Sequence, residues 1–165
     1  MGPTIPLSEA RRRLATIWFP ASGALFLLMV VQTFSGAYGD QEQTAWGWAL
    51  PNFLPTLALM ASVFASQAVD TENETVSMVR TFFFRMAFWI SIFYFLILFI
   101  VILAPVVMQM NGSEAATPEA RLVAMARSNI FLGPLQSLVV GIIGALFILK
   151  DQKAKIDVAL PGAGG

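Results

Sequence analysis

The sequence has no cysteine and no histidine. Without cysteine there is no disulfide, no thiolate nucleophile and no thiolate metal ligand. Without histidine there is no imidazole base and no usual zinc or haem ligand set. No metal and no cofactor is therefore expected. Charge is scarce as well: 12% of the 165 residues ionise, where a soluble domain carries about a quarter. Ten basic and ten acidic residues cancel to a net charge of zero, so no nucleic-acid partner is expected on grounds of charge.

What is abundant is apolar surface, at 57% of residues. A bilayer core of about 30 Å is crossed by about 20 apolar residues at 1.5 Å per residue. Four stretches meet that length, residues 14–34, 46–69, 82–108 and 130–149. The expected fold is an all-α, integral membrane four-helix bundle over residues 14–149. It is preceded by an N-terminal arm (1–13) and followed by a disordered tail (150–165), both cytoplasmic. A cleaved leader is the rival reading of the first stretch. The length of that stretch and Pro20 within it argue for a retained span.

Basic residues set the expected orientation. Arg11, Arg12, Arg13, Arg80, Arg85, Lys150, Lys153 and Lys155 flank one set of span ends, and only Arg121 and Arg127 flank the other. The positive-inside rule then puts the N-terminus, the second loop and the C-terminus in the cytoplasm, in a cell membrane crossed several times. Arg11, Arg12, Arg13, Lys150, Lys153 and Lys155 are expected at lipid headgroups, each drawing anionic lipid by about 1 kcal/mol. The acidic loop with Asp70, Glu72 and Glu74, beside Arg80, is the expected contact surface for a cytoplasmic partner.

Three local signals are readable. Ser8 is placed to cap the first helix, with Glu9 and Arg13 paired one turn apart. In the second outer loop Thr117 is an N-cap, Pro118 fits the first helical position and Glu119 suits the positive end of the helix. Leu122, Val123, Met125 and Ala126 then predict a short helix lying on the membrane surface. Pro51, Pro55 and Pro134 are read as first-turn prolines of their helices, and Pro20 as the one well inside a span.

The second and fourth spans share a pattern. With Pro55 laid on Pro134, Ala58, Ser62, Ala65 and Ser66 match Ser137, Gly141, Gly144 and Ala145. These positions recur on one helical face and predict a packing stripe, since small residues allow close backbone approach where lipid supplies no hydrophobic drive. The chain then reads as an internal repeat, two two-helix hairpins related by a pseudo-two-fold along the membrane normal. The second and fourth helices would meet at the centre. The phenylalanine-rich third helix, including Phe95 and Phe99, would face lipid or another subunit.

No catalytic constellation emerges. Asp40 and Asp70 lie at opposite membrane surfaces, Gly36 to Asp40 lacks an aspartyl partner, and no glycine-rich phosphate loop is present. No ionisable group lies mid-span to couple an ion. The expected function is a non-catalytic membrane subunit that forms a homo-oligomer or anchors a membrane or cytoplasmic protein. The alternative is a homo-oligomeric pore, channel or membrane-permeabilising effector, and an intramembrane enzyme is the remote third.

Overall fold

The computed structural model describes residues 3–69, 78–110 and 117–159, and their side chains over 3–66, 78–107 and 117–147. A short strand β1 (Thr4–Pro6) leads into helix α1 (Leu7–Phe34). A single 3-10 turn (Gly39–Gln41) opens α2 (Glu42–Val69). Strand β2 (Met78–Arg80) leads into α3 (Thr81–Met110), and α4 spans Pro118–Ala159. Four helices are long and apolar enough to cross a membrane, over Leu7–Phe34, Gly39–Ser66, Thr81–Val107 and Pro118–Phe147.

The two strands are not foreshadowed by any pattern in the sequence. They pair antiparallel, Thr4 with Arg80, Ile5 with Val79 and Pro6 with Met78. The Thr81 amide and hydroxyl both donate to the Pro3 carbonyl, at 3.0 and 2.8 Å. This ladder fixes the N-terminal arm to the start of α3, so the two lie at one end of the bundle. It also moves the start of α1: the helix begins at Leu7, preceded by Pro6 with no side-chain cap, and Ser8 is already inside. The expected Glu9–Arg13 pair is present.

At the other end α1 stops in a left-handed turn. Gly36 (φ 69°) and Gly39 (φ 54°) adopt the backbone region that glycine enters without a Cβ penalty. The Gly36 amide bonds the Thr33 carbonyl and the Ala37 amide bonds the Gln32 carbonyl, both at 3.0 Å. This is a Schellman arrangement, which satisfies the last carbonyls of α1. The two glycines near Asp40 therefore serve a tight turn, and Asp40 itself is exposed.

Two expected boundaries change. Helix α2 begins at Glu42, four residues before Trp46, which leaves Pro51 and Pro55 in the helix interior. Pro134 is interior to α4 for the same reason. The predicted surface helix is not separate: Thr117 does cap it, its Oγ1 accepting the Ala120 amide at 3.2 Å. The helix then runs unbroken into the fourth apolar stretch, because nothing from Glu119 to Asn129 breaks it. At 42 residues and 1.5 Å per residue, α4 is about 63 Å long, roughly twice a bilayer core. Its last part includes residues 150–159, expected as tail.

Round the bundle the helices follow the order α1, α2, α4, α3, and α1 also reaches α4 across the middle. Leu14, Trp18, Leu25, Met29, Met60, Leu98, Leu132, Val139, Ile143 and Phe147 fill the interior. The contact of α1 with α3 was not expected from a centre made of α2 and α4 alone.

Candidate functional site: the buried polar layer and the outward helix faces

Within the bundle, Trp18, Tyr38, Trp48 and Tyr94 turn their large polar-tipped side chains inward, while Trp89 stays outside. Trp18 on α1 is fully buried, and its indole N–H donates to Ser91 Oγ on α3 at 3.1 Å. The Ser91 hydroxyl in turn donates to the Ala87 carbonyl at 2.8 Å. Trp18 stacks on Tyr94 with ring centres 6.1 Å apart and meets the edge of Phe95 at 4.6 Å. Tyr94 then crosses to α2, donating to the Asn52 carbonyl at 2.7 Å. The Asn52 amide donates to the Trp48 carbonyl, also at 2.7 Å.

One layer thus ties three helices through satisfied hydrogen bonds. In an apolar surrounding an unmet N–H or O–H costs several kcal/mol, and Trp18 and Tyr94 each face a neighbour that accepts. The expectation that the third helix presents its aromatics outward is corrected here. Phe95 is 4% exposed, Tyr94 is fully buried and Phe99 is half-buried. Phe82, Trp89 and Phe93 do lie outside.

Helix α4 is held by a second set of contacts. Pro55 has no N–H, so the carbonyl four residues earlier, that of Pro51, lacks its helical donor. Gln136 Nε2 donates to this oxygen at 2.6 Å. At the end carrying β1, Arg11 points inward rather than to lipid headgroups and is 2% exposed. Its Nε and Nη2 donate to the Leu146 and Phe147 carbonyls at 2.9 and 2.7 Å. The guanidinium lies 5.5 Å from the Phe147 ring centre, and Phe147 meets Phe64 of α2 edge-on at 5.9 Å.

At the opposite end Tyr38 is buried, its hydroxyl donating to Gln32 Oε1 and touching Met29 Sδ. Gln32 Nε2 reaches the Ile102 carbonyl at 3.4 Å. Burial raises the Tyr38 pKa to about 12, against the opposing effect of nearby Arg121. The phenol is therefore neutral and donates at every physiological pH.

The predicted packing stripe lies on the other side of its helices. Ala58, Ser62, Ala65 and Ser66 on α2 are exposed, as are Ser137 and Gly141 on α4; Gly144 and Ala145 are half-buried. A Cβ added to Gly141 meets nothing within 4 Å. At 100° per residue these positions fall opposite Asn52, Thr56 and Met60 on α2 and opposite Leu132, Val139 and Leu146 on α4. Helices α2 and α4 do pack together, but through the large-residue faces. Of the stripe, only Gly144 and Ala145 are even partly covered among the described residues.

The other expected site residues are dispersed. Arg12 and Arg13 are exposed on α1, with Arg13 engaged by Glu9. Arg80 is exposed on β2. Asp70, Glu72 and Glu74 lie outside the described residues, as do the side chains of Lys150, Lys153 and Lys155, whose backbone belongs to α4. Among the described residues no group of three acids could hold a metal, and Glu9, Asp40, Glu42 and Glu119 all have surface positions. No family model, characterised protein or solved structure matches the chain.

Proposed function

We propose that the chain is an integral protein of the cell membrane with both ends cytoplasmic, a non-catalytic subunit that assembles with other membrane-spanning helices. The observation that carries this reading is the outward direction of Ala58, Ser62, Ala65, Ser137 and Gly141. Small residues on a lipid-facing surface leave room for close approach of another helix, and such approach is a main source of cohesion between helices in lipid. The pairing of β1 with β2 supports the orientation, since it puts the N-terminal arm and the second loop at one end. The acidic loop with Asp70, Glu72, Glu74 and Arg80 is then a cytoplasmic contact for a soluble partner.

A pore between copies is the second reading, favoured by the hydroxyls of Ser62, Ser66 and Ser137 on the same outward faces. The interior of one bundle is filled by Leu14, Leu25, Met29, Met60 and Leu98, so a conducting path would have to lie between subunits. The match of Ala58 to Ser137 and of Ser62 to Gly141, all exposed, extends the internal-repeat reading to the outer faces of α2 and α4.

The absence of cysteine makes the test direct. Single cysteines replacing Ser62 or Gly141 are expected to cross-link in native membranes to a second copy or to a companion chain. A cysteine replacing the exposed Leu27 on α1 is the control expected to stay monomeric. Cross-linking equal at all three positions, or at none, would overturn the assembly reading. Solute efflux from vesicles holding the cross-linked species separates pore from subunit.

A further inference from the structure

Near the Tyr38 end of the bundle, a groove of about 250 Å³ lies between the first turns of α2 and those of α4. Trp48, Leu122 and Met125 form apolar wall, Gly47 leaves an open edge, and Thr44 and Asn129 stand at the rim. Trp48 is 9% exposed and its indole N–H is buried with no acceptor among the described residues. Trp18 and Trp46, by contrast, donate to Ser91 and Thr33. A buried indole N–H left unmet in an apolar setting is costly, and such groups ordinarily find a partner.

The groove's chemistry limits what can supply that acceptor. No charged side chain among the described residues lines it, so a phosphate or carboxylate would enter without a counter-charge. A volume of about 250 Å³ lies below the range of ordinary small-molecule sites, about 300–1,000 Å³. It is also too narrow for another helix, about 10 Å across. The upper part of a single acyl chain fits the apolar wall. Trp46 and Trp48 occupy the level at which aromatic belts meet the boundary between headgroups and hydrocarbon, and that boundary is where the ester carbonyls of glycerolipids lie.

We infer that the groove holds the upper part of one acyl chain of an outer-leaflet phospholipid, with its ester carbonyl accepting the Trp48 indole N–H. The inference rests on the membrane placement proposed above and is independent of the assembly proposed there. The ester is recognised as a neutral acceptor, so the headgroup can vary and the linkage cannot.

The test uses the full chain reconstituted in dioleoyl phosphatidylcholine or in its diether analogue, which keeps the chains and headgroup but lacks the carbonyl. Lipid retained after mild detergent extraction is counted by native mass spectrometry. Wild type is expected to retain one ester lipid about fivefold better than the ether lipid, the discrimination typical of one hydrogen bond. Trp48→Phe is expected to abolish the difference. Gly47→Leu, whose Cβ would meet nothing within 4 Å, is expected to reduce retention of both lipids. Equal retention of ester and ether lipid by wild type, or undiminished retention by Gly47→Leu, would overturn the site while leaving the membrane placement intact. Failure of the wild-type chain to float with vesicles would overturn both.

Discussion

The layer around Trp18 and the stripe through Ala58, Ser62 and Ala65 divide the labour of cohesion in opposite ways. In the layer, bulky rings from α1 and α3 are buried and their polar tips are met by Ser91 and the Asn52 carbonyl. Along the stripe, small side chains of α2 stand outside, and Ser62 and Ser66 turn their hydroxyls back to the Leu59 and Val63 carbonyls of their own helix. A serine three residues from a free carbonyl lone pair can satisfy itself without a neighbouring helix. A tryptophan or tyrosine cannot, because its donor lies too far from its own backbone. Burial of Trp18 and Tyr94 therefore goes with acceptors on neighbouring helices, which Ser62 and Ser66 do not require.

That difference gives the largest expected effect. Trp18→Ala removes a fully buried ring together with its contacts to Tyr94 and Phe95, and the expected loss is about 3–5 kcal/mol. Phe95→Leu keeps most of the volume and should cost about 1 kcal/mol. Both are read from the unfolding of the monomer in one detergent. If Trp18→Ala unfolds like wild type, the aromatic layer is not the place where α1 and α3 are joined.

The second contrast lies between two ways of repairing a helix that contains proline. Gln136→Leu leaves the Pro51 carbonyl without the donor that Pro55 denies it. The expected cost is about 1 kcal/mol, within the range found for interhelical hydrogen bonds in membranes. In a Pro55→Ala background the restored backbone N–H takes over, and the same Gln136→Leu change should cost only a few tenths of a kcal/mol. Equal costs in the two backgrounds would detach Gln136 from the proline.

The positions of the four apolar helices were legible in the sequence, as were the Thr117 cap and the Glu9–Arg13 pair, because each depends on residues close together in the chain. The inward face of each helix was not. A helix that is apolar all round carries little amphipathic signal, and spacing of small residues marks a face without saying which way it turns. The signal that would have helped was the demand of Trp18, Tyr94, Asn52 and Gln136 for partners. The strand pairing of Thr4–Pro6 with Met78–Arg80 left no pattern, since three residues are too few to show alternation. Arg11 read as a headgroup residue because its neighbours Arg12 and Arg13 are; only the approach of α4 to α1 turns it inward. The early starts of α2 and α4 were missed because apolarity, used to find the spans, says nothing of the helical turns that precede them.

The smallest expected effect is the one that sharpens the comparison most. Gly141→Leu and Ser62→Leu add bulk on faces that are exposed among the described residues, and Gly141 has open space where its Cβ would stand. In the detergent-solubilised monomer each change should shift stability by no more than about 0.5 kcal/mol, as surface substitutions usually do. Gly141 has poor helix propensity, so leucine there can be slightly stabilising. The same two changes should nevertheless lower the yield of the cross-linked or co-purifying assembly in membranes, because leucine holds two backbones apart at the position where the proposed contact requires closeness. Monomer unfolding and assembly recovery must therefore be measured on the same variants. A large loss of monomer stability at Gly141→Leu would mean that the α4 face is covered within the chain. Unchanged stability with unchanged assembly would leave the small residues without a partner and remove the main support for the subunit reading.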